Sequence, residues 1–428
     1  MRTWASLVTI VAVSLTLAGT TVAAPGDYDA TFSGDGVVHT NLSNDVPVAD
    51  EAFGVAVQDD GKIVAVGAAG GGGGRFAAVR SMPGGGVDDT FGGDGKVFTD
   101  ITGGQDVAFD VAVLANGKII AVGRAGVGGG AFALVRYRPG GRLDTTFGGD
   151  GVVITDVTPS NDAVRAIAIQ DDGKIVVAGR ADDRFVVARY RTGGALDPSF
   201  AGDGLRQTDF TARQDIASAI AIQDDGRIVV AGTGGIRSSG SNSQFVVAAY
   251  TEQGGLDLSF SDDGKTLFNL SSEGDFGAAV AIQPTGEIVV AGTSFLGSTV
   301  DPDSRLSVVR FLSDGSLDSS FSDDAVRSMN PTSRPDLGHA IAIQPSGRIL
   351  VAGTSMSINT CCASRAVVIA LTWDGNPDDT FHGDTVVTDS NVAQGANDMV
   401  LDGAGRIVVA GRAGVDASTF ALFRLLAA

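Results

Sequence analysis

Carboxylates dominate the chemistry available to this chain. Its 50 Asp and Glu face 30 Lys and Arg, and only Glu51, Glu252, Glu273 and Glu287 are glutamates. Six aspartates, Asp50, Asp106, Asp162, Asp215, Asp275 and Asp336, recur at one place in a repeated pattern, with Gln394 at the seventh. Carboxylates brought together repel one another unless a cation sits between them, and calcium is the hard cation that suits such an oxygen set. A short carboxylate can equally cap the loop that carries it and bind nothing else. Two further aspartates, Asp110 and Asp398, stand where other copies of the pattern have small residues, which makes them the acid-base candidates. His39, His339 and His382 are the only histidines and do not fall at ligand spacing, although His339 also replaces a small residue.

Other catalytic patterns are missing. There is no "GxSxG" elbow and no sialidase-type "SxDxGxTW" box. "GKT" at Gly264–Thr266 lacks the earlier glycine of a phosphate loop, and no helical segment follows the glycines at 70–74 to hold an anion. The two cysteines, Cys361 and Cys362, are adjacent, which excludes a disulfide framework. They either close a strained vicinal bridge or are two small loop residues. A net charge of −20 argues against a nucleic-acid partner, because phosphate binding needs a basic face. Beyond calcium, no cofactor is implied.

The elements that position these residues are repeated. "G-[KRE]-I-x-x-x-G" occurs seven times, from Gly61–Gly67 to Gly405–Gly411, at intervals of about 57 residues. A "DxxF" signature keeps step with it at Asp29, Asp88, Asp144, Asp197, Asp257, Asp318 and Asp378. Each unit reads as four short strands. In one unit they are "IAIQ" at Ile167–Gln170, "KIVVAG", "RFVVARY" at Arg184–Tyr190 and, after the "LDxxF" loop, a strand like "GVVITDV" at Gly151–Val157. Short Val- and Ile-rich strands bounded by glycine turns indicate an all-β repeat protein.

The second and third strands are nearly continuous apolar runs, so both of their faces must be covered. Sheets packed face to face around an axis cover them, and a seven-bladed β-propeller of four-stranded blades is the architecture this predicts. The chain starts with a spare fourth-type strand, Gly36–Leu42, and ends on a third-type strand, Phe420–Leu426. Joining the two closes the ring and removes the edges an open array would leave.

The "LDxxFGGDG" and "AIQDDGKIVVAG…FVVARY" cadence resembles the delta-60 repeat family of bacterial propellers across essentially the whole mature chain. That resemblance implies a secreted or surface propeller and brings no established chemistry. Departures are local: "MVLDGAGR" in the seventh unit, and "FSDDAV" without its glycine after the sixth "DxxF".

Repetition separates scaffold from site, since a position filled alike in every blade serves the blade. By this criterion Asp88, Asp144 and Asp197, with their equivalents, are structural. They are expected to pair with third-strand arginines, Arg80, Arg136, Arg189, Arg310 and Arg424, where two blades have Ala249 and Ala370 instead. The phenylalanine of each "DxxF" is expected to plug the space between blades. Symmetry breaks in the loops after the second strand, as in 233–243, 294–304 and 354–364, which places a ligand on that face near blades four to six.

Residues 1–23 have the layout of a secretory signal peptide: Arg2, an apolar stretch, then "TVAA". The mature chain, 24–428, is then extracellular or periplasmic, with no membrane span, and is expected to be a monomer. Together these readings predict a secreted, non-enzymatic propeller that binds an extracellular protein or glycan through its variable loops. The alternative is a metal-assisted propeller hydrolase or lyase using channel carboxylates.

Overall fold

A computed structural model of the chain describes residues 23–42, 50–70, 74–126, 130–237, 242–296, 303–322, 324–332, 334–356, 364–388, 393–414 and 419–427. The signal-like segment up to residue 22, Cys361, Cys362 and the middles of the long loops in blades four to six lie outside the described residues.

Seven four-stranded antiparallel sheets follow one another along the chain. Their innermost, first strands are Glu51–Val57, Val107–Val113, Ala163–Ile169, Gln214–Ile222, Asp275–Ile282, Asp336–Ile343 and Gly395–Leu401. Blade seven takes its fourth strand from the other end of the chain. Val37–Thr40 pairs with Thr419–Leu425, Val37 opposite Phe423 and Thr40 opposite Phe420. Among the described residues the only helical turn is a 3-10 turn at His382–Asp384, and no helix is long and apolar enough to cross a membrane.

Local chemistry sets each hairpin. In blade three the turn "QDDGK" is closed by Gly173 N–H donating to Gln170 O, and Asp172 Oδ1 accepts from Lys174 N–H at 3.0 Å. Gly173 has φ +79°, a left-handed conformation that disfavours a side chain. The closing glycine of the motif has a different cause. A Cβ on Gly179 would lie 2.0 Å from Ala163 O, and the other six closing glycines face a first-strand carbonyl just as closely. The recurring ten-residue segment is therefore fixed by backbone contact as well as by its apolar face.

Second and third strands are buried on both faces, as in Ile175–Gly179 and Phe185–Tyr190. Each core cluster joins two blades: Val176, Ala178, Phe185 and Val187 of blade three pack with Ile228, Val230, Val246 and Ala248 of blade four. Fully burying side chains of this size stabilises by about 1.5–3 kcal/mol each, so the ring is held chiefly between blades. Polar contacts repeat the same linkage. The Tyr190 hydroxyl donates to Thr155 Oγ1 of the previous blade at 2.9 Å, and Tyr137–Thr99 and Tyr250–Thr208 match it.

Candidate functional site

Every first strand carries one extra residue against its partner, at the same position in all seven blades. The register slips between Ala52 and Gly54, Ala108 and Asp110, Val164 and Ala166, Ala217 and Ala219, Gly277 and Ala279, Gly338 and Ala340, and Ala396 and Asp398. A bulge of this kind re-aims the unpaired side chain. The seven residues so placed are Phe53, Phe109, Arg165, Ser218, Ala278, His339 and Asn397, and all seven line one cavity of about 600 Å3 at the centre of the ring. The scaffold is repetitive, whereas this inner ring is not.

One side of the ring is aromatic and cationic. The Phe53 and Phe109 rings are 5.6 Å apart, tilted by 57°, and the Arg165 guanidinium lies 4.5 Å from the centre of the Phe109 ring. Asn397 Nδ2 donates to Glu51 Oε1 at 3.0 Å and to Ala52 O at 2.8 Å, so that amide is held by the next blade. His339 faces the cavity from the far side, and burial pulls its imidazole down to about 4, leaving it neutral at pH 7.

The carboxyl groups of Asp110 and Asp398, adjacent to the bulges, line the same cavity. Each reaches into the following blade: Asp110 Oδ2 accepts from Ile167 N–H at 2.9 Å, and Asp398 Oδ2 from Val55 N–H at 2.7 Å. The other oxygen of each accepts from its own neighbour, Val111 or Met399. Gly54 sits between them, where a Cβ would come within 2.8 Å of the Asp110 Cα. Burial, then the charge of Asp398, raises the Asp110 carboxyl far above the usual range, and burial raises Asp398 as well. The pair therefore retains a proton near neutral pH. All four oxygens already accept a backbone N–H, so the pair staples blades seven to one and two to three.

The six recurring aspartates do not form the converging ring considered from sequence. Each is fully buried and turned to its own loop. Asp215 is representative: Oδ2 accepts from Phe210 and Thr211 N–H at 2.9 and 3.0 Å, and Oδ1 from Gly235 N–H at 3.0 Å. Asp50, Asp106, Asp162, Asp275 and Asp336 make the corresponding bonds to Leu42, Ile101, Val157, Leu270 and Thr332. All of their oxygens except Asp275 Oδ1 are engaged by donors that a calcium ring would have to displace. Among the described residues, no three Asp, Glu, His or Cys lie close enough together to hold a metal ion.

The "DxxF" aspartates meet their arginines. Arg80, Arg136, Arg189, Arg310 and Arg424 each donate Nε to Asp88, Asp144, Asp197, Asp318 and Asp29, at 2.7–3.0 Å. Each guanidinium also donates to a carbonyl in the next blade, such as Trp373 O from Arg310 at 2.7 Å. The plug phenylalanines are fully buried, and five of them lie under these guanidiniums at 4.5–5.0 Å. Burial alone would raise Asp88, but Thr90 and Arg80 outweigh it and hold it at about 2. In the two blades with alanine, the cation comes from the residue just before the second strand instead: Arg227 to Asp257 at 3.5 Å and Arg348 to Asp378 at 2.7 Å. That substitution was missed in the sequence, although its signal was "GR" in place of "GK" combined with the third-strand alanine; blade seven also has "GR" at Arg406 but keeps Arg424.

Five segments, 58–91, 114–147, 170–200, 223–260 and 283–321, match the family model described as a domain of unknown function (DUF5122), beta-propeller. Each runs from the end of a first strand to the plug phenylalanine. No curated protein sequence matches the chain. Among solved structures it is similar to virginiamycin B lyase from Staphylococcus aureus, with a TM-score of 0.51, 10% identity, and coverage of 90% of this chain and 98% of that one. A streptogramin B lyase gives a TM-score of 0.52 at 10% identity over 91% and 97% of the two chains. A catalytically inactive S. aureus virginiamycin B lyase with quinupristin gives 0.50 at 11% identity over 90% and 98%. At such identities the likeness is one of fold alone.

Proposed function

We propose that this chain is a secreted, non-enzymatic β-propeller that holds a glycan or a protein segment at the mouth of its channel, on the face of the variable loops. The delta-60 resemblance and the signal-like residues 1–23 support the location. One observation carries the binding role: seven symmetry-related bulge residues all face one cavity, yet they are Phe, Phe, Arg, Ser, Ala, His and Asn. A scaffold position would repeat, and a site need not. The bulges lie early in each first strand, towards the loop face, so the cavity opens on the side where the blades differ most in sequence. Paired aromatic rings beside polar groups suit a sugar ring or an apolar side chain.

An enzymatic reading has one observation in its favour, the raised carboxyl pair Asp110 and Asp398 in the same cavity. Against it stand the backbone donors on all four oxygens. The test is an array of neutral and acidic oligosaccharides and peptides, probed with labelled residues 24–428 and with the Phe53→Ala/Phe109→Ala double variant. Binding by the wild type that the variant loses supports the proposal. Binding that the variant keeps overturns the channel as the site, and cleavage of a bound ligand replaces the binding reading with the enzymatic one.

A further inference from the structure

The residue after each closing glycine divides the ring. It is Thr233, Thr293 and Thr354 in blades four to six, Arg124, Arg180 and Arg412 in blades two, three and seven, and Ala68 in blade one. Two of the threonines lock the next blade: Thr233 Oγ1 accepts from Gly277 N–H and Thr293 Oγ1 from Gly338 N–H, both at 3.1 Å. The arginines supply an internal comparison. Arg412 Nη1 lies 4.0 Å from Glu51 Oε2, a carboxylate at the start of the next blade's first strand. The position of Glu51 is Ala163 in the blade after Arg124, and Ile216 in the blade after Arg180. One arginine is neutralised by its neighbour and two are not.

Strand register brings the three together at the start of blade three. Ala163, two residues before Arg165, lies opposite Arg180, and a Cβ on Gly130 would meet both the Arg124 side chain and Asp162 O. Arg165 projects from the bulge stacked on Phe109. Burial, then the charges of Arg180 and Arg124, lowers its proton affinity, as expected where like charges crowd. Nearby carboxylates are engaged elsewhere. Asp106 and Asp162 cap their own loops, Asp182 Oδ1 accepts from Ser160, and Asp183 Oδ1 accepts from Gln214 Nε2. Among the described residues Arg124, Arg165 and Arg180 form no ion pair, and the Nε atoms of Arg124 and Arg180 are buried without a hydrogen-bond partner. In a chain of net charge −20, three adjacent unpaired guanidiniums run against the overall balance. Mutual repulsion of this kind is relieved by an anion that accepts from all three.

We propose that Arg124, Arg165 and Arg180 form a subsite for an oxyanion carried by the ligand (a carboxylate, sulfate or phosphate group) at the blade two–three side of the channel mouth. It rests on the ligand-binding reading above and adds the charge of the group recognised. An acidic sugar fits the arrangement, with its ring on Phe53 and Phe109 and its oxyanion on the arginines.

The test is a titration of residues 24–428 with inorganic sulfate at constant ionic strength, read as a thermal upshift. Parallel arms use an oligogalacturonate, a sulfated oligosaccharide, inorganic phosphate and a neutral oligosaccharide, so that carboxylate, sulfate and phosphate sources are told apart. A saturable upshift with at least one oxyanion and none with the neutral sugar is expected. Ile216→Glu, which installs beside Arg180 the carboxylate that Arg412 already has in Glu51, weakens it at least about tenfold, as does Arg165→Gln. Arg412→Gln leaves it unchanged. The proposal is overturned if no oxyanion gives a saturable shift, or if both Ile216→Glu and Arg165→Gln bind as the wild type does. Loss of oligosaccharide binding in Phe53→Ala/Phe109→Ala with the sulfate response intact would leave the subsite standing and locate the fault in the aromatic part of the site. Oligosaccharide binding without any dependence on charge would do the reverse.

Discussion

Arg189→Ala removes a side chain that does several things at once. Its Nε donates to Asp197 at 3.0 Å, Nη2 to Ser199 Oγ at 3.0 Å, and Nη1 to Glu252 O in the next blade, while the guanidinium lies 5.0 Å from the Phe200 ring centre. Both partners of the pair are almost fully buried. Breaking a buried charge pair from one side costs about 3–5 kcal/mol, because the remaining charge is left without its partner. Here Arg191 and Lys174 still stand 3.5 and 3.7 Å from Asp197, which moves the expectation to the lower end, about 3 kcal/mol. For a chain of this length that is a fall in melting temperature of about 3–4 °C. The protein also contains the remedy. Blade six has Ala370 in the third strand, and Arg348, just before the second strand, reaches Asp378 at 2.7 Å and Thr380 at 2.8 Å. Lys174→Arg added to Arg189→Ala reproduces that arrangement and should recover about half the loss or more. Urea unfolding of the wild type, both single variants and the double variant measures each term. A cost below about 1 kcal/mol for Arg189→Ala, or a large cost that Lys174→Arg does not reduce, would refute the reasoning.

Gly179→Ala should cost about 3 kcal/mol or more, since its Cβ meets backbone at 2.0 Å, whereas Gly193→Ala, with nothing within 4 Å, should be near neutral in the same urea assay. The contribution of Asp110 and Asp398 to stability should fall as pH rises above about 4, because the folded state keeps on them a proton that the unfolded chain has released, while neutral His339 contributes the opposite slope up to about 6.5. Asp110→Asn should flatten that slope between pH 5 and 9, a range in which urea midpoints are readily measured. At the acid end the sign reverses. Asp88, held at about 2, contributes stability above the unfolded carboxylate value that is lost as pH falls through 2. Melting in EDTA and then in millimolar calcium should differ by no more than about 1 °C, and a larger rise abolished by Asp162→Asn would restore the aspartates as ligands.

What could be read in the sequence was whatever repeats. The seven hairpins, the closing strand and the pairing of Arg80 with Asp88 follow from residue types recurring in step. Strand lengths shifted modestly: the third strand Arg184–Tyr190 is as expected, the fourth shortens to Val152–Thr155, and the first extends back to Ala163. The inner ring was not legible, because a bulge is a slip of register and leaves no mark in composition. Arg165 reads as one residue of an alternating strand, and only its missing partner opposite the second strand turns it to the axis. Asp110 and Asp398 were noticeable for replacing small residues, whereas His339 shares its position with small residues only in Ser218 and Ala278, and nothing in the sequence joined the three to Phe53, Phe109 and Asn397. The recurring aspartates show the opposite limit. Their height near the loop face was readable, but the direction of a carboxylate depends on which backbone N–H lies closest.

The strand that completes blade seven has a consequence for how the protein is made. Val37–Thr40 leaves the ribosome before any of the seven first strands exists, and its partner Thr419–Leu425 is made only after six whole blades. That strand therefore waits unpaired while the intervening blades are made, and the ring can only be sealed once Thr419–Leu425 has appeared. A product of interrupted synthesis keeps two raw sheet edges, the kind of surface that recruits other chains. Sealing thus acts as a proofreading step on the ring, since only a chain that has reached Thr419–Leu425 can hide both edges.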